Sequence, residues 1–496
     1  MISYKQVLKD IDELKGKRLK SIVRGADIVI DEVDYDGEAV AVHLADDADR
    51  RNRRSFRQFE VIWRELSRAA LTDDPWVNVD AALGGSSSSR NQPETIMANL
   101  PYVVWARPNN RKCIAYVGRN VHEPANIKQA DKQDLDALNA MREAEYAKTL
   151  GAKPRNWIFF GAPGTGKSYQ LNELAIGSFA KGNVKRVTFY PDYTYSQFVG
   201  CFKPITRYKG SSDKPVSELE TYISYEFVPG PFLEAYVKAV QNPDENFLLI
   251  VEEINRANPA AVFGDVFQLL DRDADGRSEY EVAVPREMRD YLSVFLPEYA
   301  TNAHISDPAK LLGEQHRLSA ESKRLSLPPN MYIWATMNSA DQGVFPMDTA
   351  FKRRWDFRYI GIDEGENTDV GGRVLSEIKV PCGGHEVVWN NLRHAINEFM
   401  ASDDLKINED KLLGPFFINP NDLTPERFAD VFKDKVLLYL YEDAGKTKRK
   451  KMFKGELNTY AKVCEAFDES GEGIFGNGFD DHIVYDDDTD DVAAEE

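Results

Sequence analysis

Short apolar runs recur through the middle of the chain, each followed by a helical pattern. Trp157–Phe160, Val184–Tyr190, Phe247–Val251 and Met331–Thr336 read as strands. Continuous apolar runs of this kind suit strands buried on both faces. Helical spacing opens near Lys167, runs to about Val240 in a second stretch, and covers Pro259 to Asp271 in a third. Alternating strands and helices, with acids at strand ends, predict an α/β fold built on a doubly wound parallel sheet. From Val387 to Ala466 the pattern turns helical, including Phe428 to Tyr441, and predicts an α-helical lid.

The N-terminal part has a different rhythm. A helical pattern over Tyr4–Leu19 precedes two strand-like runs, Ala26–Val33 and Glu38–His43, joined at Asp34-Tyr35-Asp36-Gly37. An amphipathic helix from Ser55 to Ala70 sets Phe56, Phe59, Ile62, Trp63 and Leu66 on one side. Two more strands read at Tyr102–Ala106 and Lys112–Val117. The expected organisation is a separate mixed α/β domain over 1–125 with a Ser-rich loop at 84–90. A helical connector over 126–150 follows. The nucleotide-type core spans 151–365 with a charged insertion at 272–328, and the lid spans 385–466. An acidic tail at 467–496 has the composition of a disordered segment.

Charge and composition narrow this picture. No apolar run in the 496 residues approaches a membrane span, and the N-terminus lacks the apolar stretch of a signal peptide. The four cysteines form no C-x-x-C pair, which suits a reducing, cytoplasmic setting. The seven histidines show no ligand spacing and read as structural or surface residues. A net charge of −19 argues against coating nucleic acid over the whole surface, so any such contact is local. The candidate DNA contact is Arg50, Arg51, Arg53, Arg54 and Arg57. The neighbouring Asp46, Asp47 and Asp49 cancel much of that field, so a solvated helix N-terminus is at least as good a reading.

The densest chemistry lies between Gly161 and Ser168, spaced G-x-x-x-x-G-K-S after a strand and before a helix. Such a loop aims backbone N–H groups at a phosphate chain, aided by the helix N-terminus. Gly161, Ala162, Pro163, Gly164, Thr165, Gly166, Lys167, Ser168 and Tyr169 are the candidate nucleotide-binding residues. Lys167 would reach the β/γ-phosphates and the Ser168 hydroxyl would hold Mg²⁺. Glu252 and Glu253 end an apolar strand. One acid supports the metal's ligand shell and the next activates water. Asn338 ends another strand, where its amide can bond the attacking water or the γ-phosphate. Arg353 and Arg354 follow, placed to face a neighbouring subunit and stabilise charge on the transferring group.

Together these segments resemble the McrB branch of AAA+ NTPases, the motor subunits of modification-dependent restriction systems. The likeness covers about residues 150 to 465. It rests on Tyr193–Phe198, on Pro229-Gly230-Pro231-Phe232, on Glu253–Asn258, and on Met337-Asn338-Ser339-Ala340-Asp341 followed by the paired arginines. The resemblance implies Mg²⁺-dependent hydrolysis of ATP or GTP in a ring-shaped homo-oligomer, a hexamer. It also implies an McrC-like nuclease or adaptor partner, with DNA recognised by the N-terminal domain. Lys167 and Ser168 match the P-loop lysine and hydroxyl, and Glu253 the catalytic glutamate. Glu252 stands where aspartate is usual, one methylene longer, with Mg²⁺ held through water. Asn338 matches the sensor asparagine, and Arg353 and Arg354 the arginine fingers. The family's lid has Gly-His-Ser-Tyr-Phe character, whereas this chain has Gly414-Pro415-Phe416-Phe417. A remodelling ATPase of the MoxR type, acting on proteins, is the alternative. ATP is the commoner choice of such enzymes, and no Asn-Lys-x-Asp guanine motif is present.

Overall fold

A computed structural model of the chain describes residues 2–22, 25–72, 74–84, 91–151, 153–209, 220–296, 324–338, 343–370 and 372–483. The Ser-rich stretch 85–90, Ser339-Ala340-Asp341, most of the insertion beyond residue 296 and the acidic end from residue 484 lie outside the described residues. The chain divides into two compact units, Met1–Lys153 with Glu173–Gly182, and Pro154–Asn172 with Asn183–Glu496.

In the first unit, β1 (Arg18–Leu19), β2 (Ile28–Asp34), β3 (Ala39–Leu44) and β4 (Asp47–Ser55) form an antiparallel sheet in that order. The helix Phe56–Ala69 buries Phe56, Phe59, Ile62, Trp63 and Leu66, the side its sequence pattern marked. A hairpin of β5 (Val103–Ala106) and β6 (Cys113–Tyr116) adds Val103, Ile114 and Tyr116 to the same core. Two elements depart from expectation. The arginine-rich stretch is the edge strand β4, because Arg51, Arg53 and Arg54 pair in register with His43, Ala41 and Val40. The segment leading to Ile96, to which its pattern gives no element, is the helix Asn91–Ala98. The 126–150 stretch is mainly the helix Lys132–Leu150, started by a reciprocal cap between Asp131 and Asp134. It belongs to this unit: Arg142 donates to the Thr72 carbonyl at 2.6 Å, and Tyr146 donates to the Leu71 carbonyl.

The second unit holds β7 (Asn156–Gly161), β8 (Val184–Thr188), β9 (Gly200–Lys209), β10 (Glu220–Pro229) and β11 (Phe247–Glu252). It continues with β12 (Val282–Ala283), β13 (Arg324–Leu325), β14 (Met331–Asn338) and β15 (Asp356–Tyr359). Five of these strands make one parallel sheet in the order β15-β7-β14-β11-β8. The fold is thus the α/β class with a parallel sheet flanked by helices. β11 is buried from Phe247 to Val251, and β14 from Met331 to Thr336. Parallel pairing puts every strand's C-terminal end on one edge, where ligands of such sheets bind. β9 and β10 form a ten-residue antiparallel ribbon. At its base Gly230 donates to the Val199 carbonyl at 2.8 Å, and a Cβ there would lie 2.2 Å from the Phe198 oxygen. The signature stretches 193–198 and 229–232 therefore pack on each other.

The lid is a separate core of Leu392, Ile396, Phe399, Leu413, Phe432, Leu437 and others. It begins with a short hairpin, Lys379–Cys382 with His385–Val388, before its helices. Packing continues past 466. Residue 467 falls inside the helix Tyr460–Ser470, and Phe467, Phe475 and Phe479 are buried in the lid core. The composition of this stretch masked three aromatic anchors among its acids and glycines.

Candidate active site

The site is built where three strand ends meet. β7 runs into the glycine turn, and the helix Lys167–Ile176 leaves it. Gly161 pairs in register with Asn338 at the tip of β14, which sets that asparagine beside the loop. Gly161, Gly164 and Gly166 have φ of 159°, 75° and 85°. The latter two are left-handed angles that strain any other residue. Thr165 closes the turn by donating to the Ala162 carbonyl at 2.9 Å. The Lys167 ammonium donates to the carbonyls of Gly161 and Ala162, at 3.0 and 2.8 Å, and is buried. Those two carbonyls hold it at the loop.

β11 ends in the two glutamates, and they face different partners. Glu252 accepts from the Ser168 hydroxyl at 3.0 Å, accepts from the Thr336 hydroxyl, and pairs with Arg186. Mg²⁺ takes oxygens octahedrally at about 2.0–2.1 Å, which puts adjacent ligand oxygens about 3 Å apart. The Ser168 hydroxyl would be one such oxygen, with the Glu252 carboxylate beside it placed to accept from a water that completes the set. Glu253 takes a left-handed backbone, φ 55° and ψ 47°, which sharply ends the strand. For a non-glycine residue this conformation costs about 1–3 kcal/mol and persists where the surroundings over-determine it. Here the Glu253 N–H donates to the Thr336 hydroxyl at 3.1 Å, and Asn338 donates to the Glu253 carboxylate at 2.7 Å. Arg256 lies 3.4 Å from the other carboxylate oxygen. Asn255, buried beneath, donates to the Asn338 carbonyl at 2.7 Å and ties the two strand ends together. The arrangement can bind phosphate, support a divalent cation beside it, and hold a carboxylate and an amide where water would attack.

The paired arginines separate. Both follow the helix Thr349–Lys352. Arg354 is 8% exposed, pairs with Asp271 at 2.7 Å, and lies 3.9 Å over the Phe267 ring. Arg353 is 63% exposed and only 3.8 Å from the same carboxylate. Their acid partner is Asp271, on neither side of them in sequence. In the first unit, β4 splits its arginines. Arg54 shares the side of the buried Val40 and donates to Gln92 at 2.7 Å, and burial lowers its pKa from the usual arginine value. Arg53, on the opposite side, pairs with Asp34. Arg50, Arg51 and Arg57 are exposed.

Arg186 and Thr336 were not among the sequence candidates, although both touch Glu252. The available signal is an arginine within the edge strand β8 and a threonine two residues before Asn338 in an otherwise apolar strand. Among the described residues, Asp363, Glu366 and His394 bring metal-ligating atoms within 4.8 Å of one another. Arg393 lies among them, 2.9 Å from Asp363, 3.3 Å from Glu366 and 3.0 Å from His394, so its guanidinium supplies the positive charge. No helix of the described residues is long and apolar enough to cross a membrane.

Comparison with known proteins agrees with this geometry. Residues 156–355 match the model of the AAA domain, dynein-related subfamily. The chain is 39% identical over 372 residues to the type II restriction enzyme BsuMI component YdiS of Bacillus subtilis (strain 168), covering 71% of this chain and 98% of that protein. It is 27% identical over 268 residues to the type IV methyl-directed restriction enzyme EcoKMcrB subunit of Escherichia coli (strain K12), covering 52% of this chain and 47% of that one.

Proposed function

Because the chain belongs to the McrB-like restriction-subunit family of AAA ATPases, we propose that it hydrolyses ATP or GTP with Mg²⁺ as the motor subunit of an McrBC-like restriction or phage-defence complex. The observation that carries this reading is the meeting of Glu253 and Asn338, 2.7 Å apart, at strand tips beside the P-loop. In this account the loop's N–H groups and Lys167 bind the phosphate chain. On binding, Lys167 exchanges the Gly161 and Ala162 carbonyls for phosphate oxygens, a stronger charge-assisted contact. Ser168 and Glu252 would hold Mg²⁺, the carboxylate through water because Thr336 and Arg186 already occupy its oxygens. The ion's chemistry there is neutralisation of phosphate charge. Glu253 accepts a proton from the attacking water, and Asn338 orients both. Arg353, exposed on the surface, completes the site of a neighbouring copy in a ring, a hexamer, and stabilises charge on the transferring group.

The names of the two relatives, a component and a subunit of restriction enzymes, support the restriction setting and action beside a further subunit; that subunit is proposed to be an McrC-like nuclease or adaptor, and the location cytoplasmic. DNA recognition is assigned to the N-terminal unit, through Arg50, Arg51 and Arg57 on and beside the edge strand. The test is hydrolysis of ATP and of GTP, with and without Mg²⁺, while particle mass is followed by light scattering. Mg²⁺-dependent turnover that rises with assembly is expected. A chain that stays monomeric with either nucleotide yet turns over at its full rate would contradict the shared site.

A further inference from the structure

The lid segment Leu413–Phe417 rests on the P-loop through main-chain bonds. The Gly414 N–H donates to the Pro163 carbonyl at 2.9 Å, and the Phe416 N–H donates to the Gly164 carbonyl at 2.8 Å. Both acceptors are carbonyls, so these contacts use none of the loop's N–H donors. Each carbonyl belongs to the same peptide unit as the next N–H in the loop, those of Gly164 and Thr165. A bond to the oxygen fixes that peptide plane and polarises its N–H, strengthening it by about 10–30%. The approach leaves no room for a side chain. A Cβ on Gly414 would lie 2.3 Å from Gly164 C and Thr165 N, and one on Gly164 would lie 2.5 Å from Phe417 N. The Phe416 ring covers Gly166 and Gly365, 3.1 Å from a Cβ at either, and stacks on Tyr169 with centroids 6.1 Å apart.

The segment is braced from behind by one helix, Trp389–Ala401. Asn397 grips Leu413 twice, donating to its carbonyl at 2.9 Å and accepting from its N–H at 2.8 Å. Arg393, with no side-chain exposure, donates to the same carbonyl at 3.1 Å while pairing with Asp363 and Glu366. Those acids lie in the turn that follows β15. Burial would raise the Glu366 carboxyl, but hydrogen bonds from Asn390 and His394 and the charge of Arg393 and His394 hold it below the usual value. Asn390, Arg393 and Asn397 are three and four residues apart, so they form one polar stripe on a helix otherwise packed in the lid core.

We propose that Arg393, Asn397 and Gly414 are positioning residues of the nucleotide site, holding the lid backbone as a latch that orients the Gly164 and Thr165 peptide planes toward phosphate. The proposal rests on the reading of Gly161–Ser168 as the nucleotide site. Loosening the latch weakens binding and speeds release, while the chemistry at Glu253 is left intact. The test uses the full chain with fluorescent ATP and GTP analogues, measuring release rate, KM and kcat beside the melting temperature of nucleotide-free protein. Gly414→Ala should speed release at least tenfold and raise KM in step, with kcat at saturation within about threefold of wild type. Asn397→Ala should do the same to a smaller extent. Wild-type release rates and KM in folded Gly414→Ala would overturn the latch alone. Absence of nucleotide binding by the wild-type chain would overturn the site and the latch with it. Hydrogen exchange in the wild-type protein gives a readout that needs no variant. The Gly414 and Phe416 amides should gain protection when nucleotide and Mg²⁺ are added, and unchanged exchange would overturn the proposal.

Discussion

The nucleotide edge of the parallel sheet and the arginine strand of the N-terminal unit both gather charged side chains, in opposite ways. At the sheet edge, Glu252, Glu253 and Asn338 come from two strands that stop together, so residues distant in sequence converge within hydrogen-bond reach. Along β4 the arginines are neighbours in sequence, and the alternation of a strand sends them to opposite faces. One becomes half-buried against Gln92, one pairs with Asp34, and the exposed ones are left spread along an edge. A parallel sheet concentrates charge at its C-terminal edge. A single antiparallel strand disperses it. Sequence clustering is therefore a weaker guide to a site than position at the end of an apolar strand.

Substitutions at the two regions should differ in what they change and by how much. The largest effect is expected for Arg353→Ala. In the assembled protein turnover should fall by about 10³-fold, with nucleotide affinity of the isolated chain unchanged, as for loss of an arginine supplied to a neighbour. Equal turnover of wild type and variant would remove the shared-site assignment. Arg354→Ala should act on stability instead, costing about 1–3 kcal/mol because it removes the 2.7 Å partner of the half-buried Asp271, read by denaturant unfolding. If both arginines lower turnover without lowering stability, the division of roles drawn from their exposure is wrong. Arg186→Ala, which removes a partner that orients Glu252, should raise the Mg²⁺ concentration needed for half-maximal turnover by about tenfold. The smallest effect belongs to the N-terminal unit. Arg51→Ala and Arg57→Ala should each lower DNA affinity only a few-fold and reduce the steepness of its salt dependence by about one. DNA binding by this unit that is indifferent to salt would contradict an arginine-based contact.

Much of the site was legible in the sequence because its parts are local. Gly161–Ser168 carries its chemistry in its own spacing, and Glu253 and Asn338 each end a recognisable apolar run. The partners of those groups were not legible. Thr336 and Arg186 act through strand register, which pairs Arg186 with Ile250, two residues before Glu252, and Ala335 with Val251, one residue before Thr336 and Glu252. Asp271 meets Arg354 across more than eighty positions of sequence, so local spacing does not pair them. Some conspicuous motifs turned out to serve packing. Phe198 is wholly buried, and Tyr195 packs against the backbone of Gly264. The arginine run conceals its strand, because polar residues on both faces hide a two-residue alternation. The latch on the P-loop was hidden for a different reason. Its contacts are made by backbone and by two buried polar side chains of a lid helix, and neither has a local sequence pattern that points to phosphate.

The account turns on Glu253 as the group that activates water beside Asn338. The direct measurement is turnover of ATP and GTP by Glu253→Gln, with nucleotide binding measured on the same protein. Glutamine preserves the shape and can still bond Asn338, but it cannot take up a proton. The account predicts binding close to wild type and hydrolysis reduced by about 10²–10⁴-fold. Hydrolysis at the wild-type rate in a folded, nucleotide-binding Glu253→Gln chain would contradict it.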